Sequence, residues 1–315
     1  MNSYFATFPA GTLELITKQL KGFKLDELKI IAHDDSSVTF QSSLPTERLI
    51  ELRYFTNVYL VTDKPAEIPK SALKGRYYRL MLLKDGSPQP MNQSERTKLE
   101  AKMKQELRLE PNAHLSKNDF YLIERTSGKK LFTLRLPRAK FKREKLSAGE
   151  LRPELAHILC LAAGIKAKHT VLDMFAGYGS IPYETVRGFG CKQVTAVDNQ
   201  KLPNRHEHPA IKWHEADVRS LDFLADNSID RVITDPPWGI YDESSDLSDI
   251  YSQMFKELQR VMKPDAVAVV LSGSEALNTI VENDKSFRLL KTYPILVSGK
   301  KAKILKVQKI SSKNG

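Results

Sequence analysis

From residue 170 onward, short apolar runs alternate with longer mixed segments, and this pattern limits the fold more than any other feature of the chain. A strand covered by helices on both faces loses the in-and-out alternation of a half-exposed strand and reads as a continuous apolar stretch. The stretches are TVLDMF (170–175), QVTAV (193–197), RVIT (231–234) and AVAVVL (266–271). Before the last of them, Ile250, Tyr251, Met254, Phe255, Leu258, Val261 and Met262 recur at helical spacing and mark one face of a helix. A doubly wound α/β sheet is expected. Two further strand-like stretches, 287–297 and 302–310, flank Ser298-Gly299-Lys300-Lys301, which predicts a hairpin-like ending with a terminal antiparallel strand.

The first half reads as an α+β mixture. Amphipathic helices are expected over 12–20 and 94–109, among strand-like runs at 38–40, 77–83 and 120–123. At 315 residues the chain is long enough for two domains, and Pro65 and Pro69 mark a joint inside the N-terminal part. The expected division is 1–65, 66–140 and 146–315. Charge divides the chain as well. Residues 1–145 carry 27 Lys and Arg against 17 Asp and Glu, whereas residues 146–315 carry 22 against 21. Clustered cations attract polyanions and release their counterions. The densest cluster is GKKLFTLRLPRAKFKREK (128–145), with Lys129, Lys130, Arg135, Arg138, Lys140, Lys142, Arg143 and Lys145 as candidate RNA contacts.

With 41% hydrophobic and 28% charged residues the composition is globular, and no apolar run reaches the roughly 18 residues that span a bilayer. No export signal is read at the N-terminus. Cys160 and Cys191 stand among apolar neighbours and form no Cys-x-x-Cys pair, so reduced core thiols and a cytoplasmic location are expected.

VLDMFAGYGSIPYE (171–184) orders a strand, a glycine turn and a helix start. Gly177 and Gly179 let the backbone turn sharply and approach a ligand. The third glycine of a dinucleotide turn is missing, and Asp173 sits where a phosphate would be repelled. An acid there suits a cationic amino-acid group, so the turn, including Phe175 and Ala176, points to S-adenosylmethionine. Asp198, beside Asn199, closes the next strand where an acid accepts ribose hydroxyls. Asp217, beside Val218, is a candidate for the adenine amine, with a helix N-cap as its equal alternative. Asp235-Pro236-Pro237-Trp238-Gly239 then ends a strand in a stiff turn. The Asp235 carboxylate and a proline carbonyl can accept the hydrogens of an exocyclic amine, while Trp238 offers a stacking face. His206, His208 and His214 are read as solvated loop residues, and no metal is expected.

These motifs resemble the THUMP-domain class I RNA methyltransferases, which act on the exocyclic N2 amine of guanine in tRNA and, in some members, rRNA. The likeness is strongest over 151–239. It rests on Leu151-Arg-Pro-Glu-Leu-Ala156, on Asp173-Met-Phe-Ala-Gly-Tyr-Gly-Ser180 and on the Asp235 turn, where Trp238 stands in place of the family's Tyr or Phe. A weaker likeness covers Tyr4-Phe-Ala-Thr7 and Gly11-Thr-Leu-Glu-Leu15. The resemblance implies a ferredoxin-like piece over 1–65, a THUMP-like RNA-binding piece over 66–140, and a seven-stranded Rossmann-like methyltransferase sheet with one antiparallel strand. It implies an enzyme that methylates guanosine N2, most naturally in tRNA, and a monomer is expected. An adenine-N6 nucleic-acid methyltransferase and an inactive RNA-binding scaffold are the competing expectations.

Overall fold

The computed structural model describes residues 1–125, 128, 130–137, 146–239 and 247–310. The chain divides into two compact units, Met1–Phe8 with Lys18–Lys140 and Pro9–Thr17 with Phe141–Gly315. Along it run β1 (Asn2–Thr7), α1 (Leu13–Leu20), β2 (Leu28–His33), β3 (Ser37–Ser42), α2 (Thr46–Ile50) and β4 (Asn57–Thr62). There follow β5 (Tyr77–Lys84), β6 (Ser87–Gln89), α3 (Gln93–Lys102), β7 (Glu110–Pro111), β8 (Asn118–Glu124) and β9 (Lys130–Arg135).

The strands of the first unit form one sheet in the order β2-β3-β1-β4-β9-β8-β5-β6, with β7 paired to β5. Residues 1–65 and 66–140 meet within it, because β4 pairs antiparallel with β9 from Tyr59 opposite Arg135 to Thr62 opposite Phe132. The helix expected over 94–109 is α helix to Lys102 and then a π-helical turn, Met103–Leu107, whose end is the left-handed Arg108.

The second unit contains α4 (Pro153–Ala163), β10 (Thr170–Asp173), α5 (Ser180–Phe189), β11 (Gln193–Asp198), β12 (Ile211–Glu215) and β13 (Ile229–Thr234). It continues with α6 (Leu247–Val261), β14 (Met262–Ser272), α7 (Glu275–Asn283), β15 (Phe287–Val297) and β16 (Lys300–Lys309). Their sheet order is β12-β11-β10-β13-β14-β16-β15. The first five strands are mutually parallel, and β16 is antiparallel to both neighbours. This is a Rossmann-like doubly wound sheet with the expected reversal at its end. Pro294 is tolerated in β15 because that strand is an edge.

Burial explains why the apolar runs were legible. All seven residues of β14 from Ala266 to Ser272 are buried, and the α6 face of Tyr251, Met254, Phe255, Leu258 and Val261 packs into the same core cluster. Because β10 and β13 lie side by side while the chain winds outward in opposite directions from them, their carboxyl ends border the crevice where ligands of such sheets bind.

Leu258 is fully buried in that cluster, so Leu258→Ala is expected to destabilise the protein by about 2–5 kcal/mol, read as a lower urea midpoint.

Candidate active site

The glycine turn leaves β10 at Asp173 and enters α5 with positive φ at Gly177 (+51°) and Gly179 (+83°). Glycine is required at 179 on two counts, its left-handed backbone and the Trp213 ring, which would stand 2.8 Å from an added Cβ. The turn is tied to the neighbouring strand end. The Ala176 N–H donates to the Val197 carbonyl at 2.9 Å, and the Gly177 N–H donates to Asp198 Oδ2 at 2.7 Å. Asp198 Oδ1 accepts the Gln200 N–H at 3.1 Å. Each carboxylate oxygen has a second lone pair, so this half-buried acid can still accept from ligand hydroxyls.

Asp173 is only 1% exposed. Burial, with a smaller contribution from the nearby charges of Asp235 and Asp198, pushes its carboxyl up to about 8 against the opposing effect of the Thr234 side chain and the Phe175 N–H. The three acids therefore converge on one end of the sheet. Asp173 Oδ2, Thr234 Oγ1 and Ser180 Oγ are buried without a well-formed hydrogen bond. Buried polar atoms left in this state at a crevice suit a ligand that brings its own donors. A cationic ammonium and a ribose diol, the groups S-adenosylmethionine carries, match these acids and the Cβ-free turn.

Asp235 follows β13 directly. Enclosure of its carboxyl pushes it up to about 7, opposed by the Trp238 indole, whose Nε1–H donates to Asp235 Oδ1 at 3.0 Å. The Trp238 ring lies against Gly273, where a Cβ would stand 2.3 Å from it. Pro236 is buried and Pro237 exposed. The Tyr251 hydroxyl, from α6, donates to the Pro237 carbonyl. Neither Tyr251 nor Gly273 was singled out as functional in the sequence: the tyrosine fits a helix's apolar stripe, and the glycine's only signal was its place in Ser272-Gly273-Ser274 after a strand.

The remaining candidates separate. Phe175 is half-buried, Ala176 and Val218 are buried, and Asn199 is exposed. Asp217 is engaged by Arg219, whose Nη2 donates to it at 2.6 Å and whose backbone N–H donates at 2.9 Å. A ligand amine would have to compete with that pairing. His206 and His214 depart from the expected solvated loop state, His214 lying in β12, while His208 is a half-buried loop residue whose Nδ1 accepts the Ala210 N–H at 3.1 Å. His206 Nε2 lies 3.1 Å from Glu150 and its ring stacks on Tyr183, while His214 stacks on Phe223 at 3.9 Å. Burial lowers the His214 pKa. Among the described residues no group of three potential metal ligands occurs, and no helix is long and apolar enough to cross a membrane. Of the basic cluster, Lys130 pairs with Glu95 at 2.8 Å, and Arg135 pairs with Asp119, which Arg79 also grips. Lys129, Arg138, Lys140, Lys142, Arg143 and Lys145 lie outside the described residues.

Sheet order, glycine turn and acid-tipped strands define a Rossmann-like methyltransferase domain. Residues 192–302 match the family described as UPF0020: RMKL-like, methyltransferase domain. The chain is 33% identical over 105 residues to the tRNA (guanine(10)-N2)-dimethyltransferase of Methanothermobacter thermautotrophicus, a match that spans 31% of each protein. Among solved structures, TrmN from Thermus thermophilus superposes with a TM-score of 0.78 at 17% identity, covering 98% of this chain and all of that one. SMU.472 complexed with SAH gives a TM-score of 0.72 at 12% identity, covering 100% and 99%. At these identities the structural likenesses establish the fold. The methyltransferase fold supports S-adenosylmethionine as the cofactor.

The raised Asp173 pKa makes stability depend on pH. Its folded-state value of about 8 exceeds the ordinary 3.8, so the folded state binds the extra proton and its contribution is lost as pH rises through that window. Asp173→Asn should therefore gain on the parent as pH goes from 4 to 9, by on the order of 1–3 kcal/mol in the ligand-free protein. Urea unfolding of both forms at the two pH values checks this; a constant difference would show that Asp173 titrates normally.

Proposed function

We propose that the protein is an S-adenosylmethionine-dependent RNA methyltransferase that modifies the exocyclic N2 amine of guanosine in tRNA. The observation that carries this reading is the placement of two acid-bearing turns, from Asp173 and from Asp235, at the ends of adjacent strands β10 and β13, with the Asp235 carboxyl enclosed and bonded to the Trp238 indole. Asp173 would take the cofactor's ammonium, Asp198 its ribose, and Phe175, Ala176, Gly177, Gly179, Asn199 and Val218 would line its path. S-adenosylmethionine supplies an electrophilic methyl on a sulfonium, which needs no acid to leave. The chain's remaining task is to orient a weak nucleophile and accept its lost proton.

Asp235 and the Pro236 carbonyl would accept the two amine hydrogens and so direct the nitrogen. Asp235, with a pKa near 7, can then receive the proton released when the nitrogen is alkylated. Trp238 would bear on the extruded base, an arrangement worth about 1–3 kcal/mol per stacked base. Guanine N2 as the acceptor is supported by the motif resemblance and by the activity in the name of the archaeal relative. An Asp-Pro-Pro-aromatic turn can also orient adenine N6. Residues 66–140 as an RNA-binding THUMP-like piece remain part of the proposal, with the excess of cations in residues 1–145 as its support.

The deciding experiment incubates the protein with labelled S-adenosylmethionine and total RNA, then digests to nucleosides. N2-methylguanosine is expected; N6-methyladenosine would reassign the base, and no label would remove the reading. Asp198→Ala should cost about 2–4 kcal/mol in calorimetric cofactor affinity, whereas Asp235→Ala should bind cofactor normally and lose most turnover. Because the Asp235 carboxylate is the accepting form, turnover of the parent should rise with pH through about 7.

Charge reversal of Lys140, Lys142 and Arg143 to Glu should weaken RNA binding without altering cofactor affinity. Each phosphate contact removed should flatten the log-log salt dependence by about 0.7–0.9. Equal affinities and slopes in parent and triple variant would assign the cluster to solvated surface.

A further inference from the structure

The Asp235-Pro236-Pro237-Trp238 turn is poor in its own means of being held. Two of its four residues lack an N–H, so neither proline nitrogen can donate to a strand partner or close a backbone turn. What fixes it comes from elsewhere. The Trp238 ring rests on Gly273 and its indole N–H is bonded to Asp235. From beneath, Tyr251 reaches the turn from α6, its hydroxyl donating to the Pro237 carbonyl.

Three features make this contact more than the satisfaction of a polar atom. Pro237 is exposed, so water could satisfy its carbonyl without a tyrosine. Tyr251 itself is 0% exposed and its ring is embedded among core residues of α6, β13 and β14, so the hydroxyl is delivered from a rigid platform. Among the described residues no hydrogen bond engages the Pro236 carbonyl, whereas Pro237's is occupied. Burial also raises the Tyr251 hydroxyl's pKa, with the Ser274 side chain beside it acting in the opposite direction, so it remains a donor at neutral pH.

We infer that Tyr251 is a positioning residue for methyl transfer: its hydroxyl pins the turn by the second proline and thereby reserves the first proline's carbonyl, with Asp235, for the substrate amine. The inference rests on the reading of Asp235 as the amine-orienting group. It distinguishes the two proline carbonyls, which the motif alone leaves equivalent. It also assigns the buried α6 face a role in geometry at the reacting nitrogen, where a misplacement of about 1 Å can cost on the order of 100-fold in rate.

The test uses the full chain and Tyr251→Phe, which keeps the ring in its packing and deletes only the hydroxyl. Labelled S-adenosylmethionine and unfractionated tRNA are the probes, with Asp235→Asn as the reference for a disabled turn. The expected result is a kcat lower by about 10- to 100-fold, with the KM for tRNA and the Kd for cofactor within about twofold of the parent. A second readout needs no substrate. The chain has two tryptophans, so in a Trp213→Phe background Trp238 is the sole indole, and its fluorescence anisotropy should fall when Tyr251→Phe is added. Parent-like kcat with Asp235→Asn inactive would overturn the role of Tyr251 and leave the functional reading standing. A fall in kcat matched by a fall in folded fraction, with unchanged Trp238 anisotropy, would reduce Tyr251 to a core residue. If the parent itself transfers no methyl to tRNA, the functional reading fails, and the anisotropy pair alone decides whether Tyr251 holds the turn.

Discussion

The carboxylate of Asp198 reaches back from the end of β11 to accept the Gly177 N–H at 2.7 Å, and the geometry of the crevice depends on this bond. A hydrogen bond to an ionised acceptor is roughly twice as strong as a neutral one. Here it fastens the turn at Gly177, a residue with no side chain of its own to hold it. The same bond fixes where Asp198 stands relative to Asp173 at the end of β10. Parallel pairing of β10 with β11 and with β13 then brings a third acid, Asp235, to the same edge. Three carboxylates in one place repel, and burial of two of them raises the energy of their ionised forms. A stable protein bears this cost where a cationic or hydrogen-donating ligand can relieve it, which is why such a cluster suits a ligand site.

The second half of the crevice follows a different logic. Its backbone is stiffened by prolines but has few donors, so its position is set by side chains from outside. Gly273 leaves room for the Trp238 ring, and Tyr251 is anchored in the cluster that also holds β13 and β14. Packing of the core and placement of the Asp235 turn thus share contacts. A change deep in α6 would reach the turn, because a close-packed interior shifts rather than compresses.

Charge is less direct. The excess of cations in residues 1–145 predicts a polyanion partner, but a sum over residues ignores pairing. Lys130 and Arg135, both in the densest cluster, have acids within reach, and Asp119 is shared between Arg135 and Arg79. Such cations present less net field than their number suggests. The acids they meet, Glu95 of α3 and Asp119 of β8, are distant from them in sequence.

The doubly wound sheet was legible because burial on both faces leaves a continuous apolar run, and the glycine turn because only glycine accepts its φ values and its nearness to Trp213. Asp173, Asp198 and Asp235 could be named from their place at strand ends, since a strand's last residue is the one that faces a crevice. The sequence by itself therefore determined the Rossmann-like class, the order of the motifs and the acids at their tips. Tertiary structure alone decided that β4 joins β9 and carries one sheet through both N-terminal pieces. It also decided that Asp217 is occupied by Arg219, that His206 and His214 are packed rather than solvated, and that Tyr251 meets Pro237. The physical reason is range. Periodicity and backbone conformation are local properties that neighbours in sequence express. The partner of a hydroxyl, a carboxylate or an imidazole is chosen by whichever distant element the packing brings within about 3 Å of it.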